Sequence, residues 1–356
     1  MSQPITTTLP YWGQINGLIS QDAVSLFTTK ITDKSFDQAK LYRVDSNREH
    51  PTLTALNLPV GMEGLTAMAD STVMLIGRDG YLYQSDWQAK KLAQVSEQST
   101  FDLMNNTQTE ADELNRPHPT AIAIASLKDG VAVLYPEYLL VWAYQNHKLG
   151  DCIANIRLNS ILQTTDNQND NALTINQATT LAVSSDGNWL VVGDSQGLVS
   201  SFHVNAERTA ILHSSSELLH QGAVTALCFE PIAQQFFSAG ADKQLLRTHV
   251  QGKLQGIDRG KASQHTEMIR AMAVSSGTGE RLYTGSDDKS VKSWQFDKGQ
   301  PNTCKDDLVK IRILSVCQYL NQTSVLTVGT DQSLRFIPVD NEGKLTNVAH
   351  IIKDGY

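Results

Sequence analysis

Residues 224–250, 269–296 and 313–339 repeat one pattern of apolar and polar positions. Each copy opens with a short run in which apolar residues alternate with polar or small ones. A second apolar run follows and ends in small residues and an aspartate. A third run starts at once, with aliphatic or aromatic residues at every second position. Period-2 alternation between turn signals predicts consecutive antiparallel strands. The turn aspartates Asp242, Asp288 and Asp331 lie about 43–46 residues apart, the length of a four-stranded repeat.

Weaker copies continue upstream. Residues 180–204 fit with Gln196 at the aspartate position, and 65–87 fit with Asp79. In 122–142, Pro136 and Glu137 replace the usual turn, and 23–45 hold two runs with a longer connection. Seven such units predict an all-β chain: a seven-bladed β-propeller of four-stranded antiparallel blades over residues 14–350. Radial closure limits exposed strand edges. Residues 1–13 are expected to form an extension or clasp strand, with Tyr11 and Trp12 buried on a blade or its rim rather than exposed as an anchor. Residues 351–356 are expected to be a tail.

Composition agrees with strands rather than charged helices. Hydrophobic residues make up 40% and charged residues 19%, the latter below the ~25% of ordinary globular chains. The most apolar stretch, 121–144, is interrupted at Lys128-Asp129-Gly130 and at Pro136-Glu137, so it reads as hairpins rather than a membrane span. The start of the chain lacks the basic and apolar regions of a secretory signal.

The sixth unit carries a more specific signature. His265 precedes it, Leu282 to Asp288 spells an apolar run into a Gly-Ser-Asp-Asp turn, and Trp294 ends the third strand. This resembles the WD40 repeat, although Gln264 and Gln295 stand where that repeat has the Gly of Gly-His and the Asp of Trp-Asp. The resemblance implies a buried set in which the turn Asp, a His, a Ser or Thr and a Trp satisfy one another: His265, Thr284, Asp288 and Trp294. The fifth unit offers His220, Ser238 and Asp242, with Thr248 at the Trp position. The seventh keeps Thr327 and Asp331, with Ile337 at the Trp position, and the second keeps Asp79. A Ser, a His and an Asp together suggest hydrolysis. Recurrence within blades suits a scaffold instead, and no GxSxG elbow is present.

The resemblance also implies a partner-binding face where two sets of connections gather. One joins the second and third strands of a blade; the other joins successive blades. Alignment places Arg78, Ala223, Ala241, Met268, Asp287 and Thr330 there, with side chains free of the turn bonds and with Met268 and Arg78 exposed. The expected function is a non-catalytic scaffold for a peptide or protein partner, a monomeric propeller inside a hetero-complex. The alternative is a propeller hydrolase or lactonase acting at the channel mouth.

Charge and chemistry narrow the partner. Twenty-nine basic and thirty-seven acidic residues give a net charge of −8, against a nucleic-acid surface. No metal or cofactor is expected, because the histidines do not cluster and no phosphate-binding or zinc-binding motif occurs. Cys152, Cys228, Cys304 and Cys317 are far apart; buried free thiols and a cytoplasmic setting are expected. Residues 96–116, with the apolar Phe101, Leu103 and Met104, are either a flexible insertion or a partner-binding loop with a short helix. Residues 159–177 and the basic, Gly-rich 252–261 are expected to be solvated loops.

Overall fold

The computed structural model describes residues 4–10, 14–30, 39–48, 50–105, 118–160, 176–231, 234–251, 253–258, 265–275, 281–295, 298–305 and 308–355. The strands form seven sheets in chain order. Their innermost strands are Gln14–Gln21, Met62–Ala67, Ala123–Leu127, Ala178–Val183, Val224–Phe229, Ile269–Val274 and Ile311–Tyr319. Each touches the next, and the last touches the first, so the ring closes. The chain is a seven-bladed β-propeller, as its repeats predict.

Within each blade the next two strands follow directly in an antiparallel meander. The second strands break the period-2 rule for a physical reason. Gly130–Leu134, Trp189–Asp194 and Arg281–Ser286 are buried at every position. A blade is stacked on both faces, so its middle strands meet protein on either side, as strands covered on both faces do elsewhere. Alternation survives outside: Lys148–Arg157, the fourth strand of blade 3, keeps a mixed exposed and half-buried pattern.

The fourth strands are the least apolar and the least legible. Lys253–Asp258 is the outer strand of blade 5, so the solvated loop expected over 252–261 is corrected. Main-chain pairing from Arg247 to Gln251 onto this segment needs no apolar side chains. The end of the chain is corrected as well. His350–Gly355 is the fourth strand of blade 7, so 351–355 are blade and not tail. Ile5–Pro10 adds a fifth strand to this sheet, parallel to His350–Gly355, with Ile5 opposite His350. Tyr11, Trp12 and most of the 159–177 connection lie outside the described residues.

Candidate partner-binding face

One backbone bond recurs on the face in question. The first residue after the second strand donates its N–H to the residue just ahead of the same blade's inner strand. The pairs are Arg78 to Gly61 (2.8 Å), Ser195 to Gln177 (2.9 Å), Ala241 to Ala223 (2.8 Å), Asp287 to Met268 (2.9 Å) and Thr330 to Lys310 (2.9 Å). The six residues assigned to this face by alignment are therefore the two sides of one repeated contact. Ala223 meets Ala241, and Met268 meets Asp287.

Beneath it lies the polar set of blade 6. His265 Nδ1 is 2.8 Å from Asp288 Oδ2, and His265 Nε2 is 2.7 Å from Thr284 Oγ1. Trp294 Nε1 lies 2.8 Å from the same Thr284 oxygen. An indole N–H only donates, so Thr284 accepts from Trp294 and gives its own proton to His265. His265 then carries its proton on Nδ1 and donates to Asp288, and the imidazole is neutral. Burial pushes the His265 imidazole below the ordinary histidine value, against the pull of Asp288. Burial also raises the Asp288 carboxyl, but hydrogen bonds from His265 and Ser290 outweigh it and hold the acid well below the usual carboxylate range. Asp288 further accepts from the N–H groups of Thr266 (3.1 Å) and Ser290 (3.0 Å).

The other blades answer the same need with other residues. In blade 5, His220 bridges Asp242 (3.0 Å) and Ser238 (2.8 Å), but Thr248 offers no indole, and its own buried Oγ1 has no hydrogen-bond partner among the described residues. In blade 7, Arg335 holds Asp331 through Nη1 (3.0 Å) and Nη2 (2.6 Å), and the buried Thr327 Oγ1 has no hydrogen-bond partner among the described residues. In blade 2, the Tyr83 hydroxyl donates to Asp79 at 2.7 Å. Blade 4 moves the carboxylate two residues upstream of Gln196: buried Asp194 accepts from the N–H groups of Gln196 and Leu198, both at 2.8 Å. That shift is invisible to alignment, which compares positions and not the reach of a side chain around a turn.

Some expectations for the face are corrected. Asp287 is not free: Arg270 donates to its Oδ2 from Nε (3.1 Å) and Nη2 (2.9 Å), Arg312 stands 3.7 Å away, and the carboxylate side chain is 12% exposed. Met268, Ala223 and Ala241 are half-buried, whereas Arg78 and Thr330 are exposed. The Arg78 guanidinium side chain is 61% exposed and lies 4.0 Å from Glu63. The apolar part of the 96–116 connection is not offered to a partner. Thr100–Asn105 is a short helix whose Phe101 and Met104 enter the core with Tyr135 and Trp142. Its Thr100 bonds the Tyr135 hydroxyl at 2.7 Å. Gly80, at φ 79°, admits this docking, since a Cβ there would fall 2.5 Å from Ser99 Oγ.

The sequence reading missed a ring of bulge residues. Six inner strands slip register within their first three residues, which singles out Asn16, Glu63, Thr179, Thr225, Arg270 and Arg312. Asn16, Thr179 and Thr225 reach the carbonyl of Met62, Val224 and Ile269 in the next blade, each at 2.5 Å. Glu63 also crosses to the next blade, accepting from the Ala121 N–H at 2.5 Å, whereas at the same position Arg270 and Arg312 bring charge to the face. Bulges re-aim a side chain in this way, and no turn residue in the sequence announces these ones.

Asp288 and Asp287 differ in what they hold. Asp288→Ala removes the acceptor of a buried histidine and of two backbone N–H groups, at a cost of about 2–3 kcal/mol. Asp287→Ala breaks a partly exposed ion pair and should cost under about 1 kcal/mol. Chemical denaturation of the two variants checks the order; equal losses would mean that Asp288 is not the load carried by the turn.

Comparison with known proteins agrees with this geometry. The family described as WD domain, G-beta repeat matches residues 259–295, the segment that holds His265, Thr284, Asp288 and Trp294. No curated protein matches the sequence. Among solved structures, the one titled "Crystal structure of WD40 beta propeller domain of Doa1" aligns with a TM-score of 0.61 at 9% identity, covering 94% of this chain and 96% of that one. A chain of the "Crystal Structure of Mitotic Checkpoint Complex" aligns with a TM-score of 0.58 at 13% identity, covering 82% of this chain and 79% of that one. With its closed ring of four-stranded blades, the chain is a seven-bladed β-propeller, and its sixth blade matches the WD40 repeat.

Proposed function

We propose that the protein is a non-catalytic interaction scaffold that docks a protein or peptide partner on the face bearing Arg78, Met268 and Thr330. The observation that carries this reading is the division of labour on that face. The turn carboxylates and histidines are consumed by the fold, while Arg78 and Thr330 project from turns pinned by backbone bonds. Pinned turns present side chains without an ordering cost, and arginine and methionine are enriched at interfaces. The side chains of His220 and His265 are fully buried, which supports a structural rather than a hydrolytic role. We further propose a single propeller within a hetero-complex in the cytoplasm, with a protein rather than a nucleic acid as partner. The four free cysteines suit a reducing compartment.

The test is to capture a partner with the full chain, then measure its affinity for Arg78→Ala, Met268→Ala and Asp287→Ala. Arg78→Ala and Met268→Ala are expected to weaken binding about tenfold or more, in line with interface hot spots. Binding within twofold of wild type for all three places the partner elsewhere.

A further inference from the structure

The opposite face carries a feature that this reading does not use. Where the hairpin turns of blades 7, 1 and 2 meet, there is an open cleft of about 510 Å3, within the ~300–1,000 Å3 of ligand clefts. Gln21, Asp22, Asn47, Gln318, Asn321 and Trp87 line it. Its frame is stapled. Gln318 donates its N–H to Asp22 O at 2.6 Å, and Leu320 to Ser46 O at 3.1 Å. The buried Ser46 hydroxyl reaches both Ala23 O (2.9 Å) and Gln318 O (2.6 Å). Blades 1 and 7 are thereby locked together at the ring's closure, so the cleft is preformed.

The side chains on this frame are unspent. Gln21, Asn47, Gln318 and Asn321 are exposed, and among the described residues none of their carboxamides makes a hydrogen bond. Among the described residues, the buried indole Nε1 of Trp87 has no hydrogen-bond partner. Among the described residues, Asp22 is the only charged one of the lining, so the cleft does not select an ionic ligand. A carboxamide carries one acceptor oxygen and a donor NH2, the complement of a peptide unit with its C=O and N–H. Four of them along an open cleft match the alternating donors and acceptors of an extended main chain. Trp87 supplies the large, rigid surface that anchors interfaces.

We propose that this cleft binds an uncharged, extended peptide segment of a second protein partner. The carboxamides pair with its main chain, and one apolar side chain rests on Trp87. The propeller then has two docking faces, and occupation of one does not require the other.

The experiment probes an array of uncharged, acetylated and amidated decapeptides with the full-length protein, then titrates the bound peptides. Three variants are compared: Asn47→Ala/Gln318→Ala, Trp87→Phe and Arg78→Ala. The double variant changes only exposed side chains. It is expected to weaken the peptides about tenfold, with its melting temperature unchanged. Trp87→Phe keeps the ring packing and is expected to weaken them less. Arg78→Ala, on the other face, is expected to leave them unchanged, which separates this proposal from the first. The proposal is overturned if no array peptide binds, or if the double variant binds them as tightly as wild type. It is also overturned if a neutral oligosaccharide such as maltotriose binds and the peptides do not.

Discussion

Thr284→Val is expected to destabilise the protein by about 2–4 kcal/mol, whereas Thr327→Val, at the aligned position one blade on, is expected to stabilise it by about 1 kcal/mol. Both threonines are buried in second strands, and valine has nearly the same shape, so packing barely changes. The hydroxyls do opposite things. Thr284 stands between Trp294 and His265 at 2.8 and 2.7 Å. Its loss removes the acceptor of a buried indole N–H and the donor that meets His265 Nε2. Among the described residues the buried Thr327 Oγ1 has no hydrogen-bond partner, so its desolvation is uncompensated in the folded state, and removing it recovers that cost. Urea unfolding of the two variants against wild type decides the matter. Stabilisation by Thr284→Val would mean that the Trp-Thr-His chain does not stabilise blade 6, and destabilisation by Thr327→Val would mean that its hydroxyl is not an uncompensated cost.

Lowering the pH from 7 towards 5 is expected to destabilise the protein, with closure of the ring affected most. Burial depresses the imidazoles of His213, His220, His265 and His350 below the ordinary histidine value. A depressed folded-state value means that the unfolded chain takes up protons first as pH falls. The stabilisation is therefore complete above the ordinary histidine value of ~6.5 and is lost progressively below it. The His–Asp pairs of blades 5 and 6 oppose the change, since Asp242 and Asp288 attract a proton to His220 and His265. His350 has no such relief. It is fully buried, and its contacts among the described residues are Thr7 (3.1 Å), the Tyr319 hydroxyl (3.4 Å), and the rings of Phe336 and His50. None of these is a carboxylate, and His50 adds a further depression. Thr7 belongs to the parallel strand that covers the last blade, so a charge on His350 works directly against that strand. Melting curves at pH 7, 6 and 5 for wild type and His350→Phe provide the check. The variant should lose part of the pH dependence; an unaltered profile would show that His350 does not govern it.

The sequence by itself determined the number of blades, the order of their inner three strands and the sixth blade's polar set. The physical reason is locality. Strand, tight turn and strand are written in consecutive residues, and a turn aspartate needs only its neighbours to be recognised. Thr284, Asp288 and Trp294 are joined within one hairpin pair, and His265 is one strand away. Tertiary structure decided what depends on surfaces brought together from afar. Lys253–Asp258 and His350–Gly355 became strands because an unpaired edge was waiting for them, although neither has a pattern that demands it. Phe101 and Met104 look like a free apolar patch in sequence and became core because blades 2 and 3 offer a place for them. Asp287 looks idle beside Asp288, yet the bulges at Arg270 and Arg312 deliver two guanidinium groups to it. Side chains that meet across blades are separated by at least one repeat or by a turn of unpredictable reach. Their pairing is set by the closure of the ring, which no local pattern encodes.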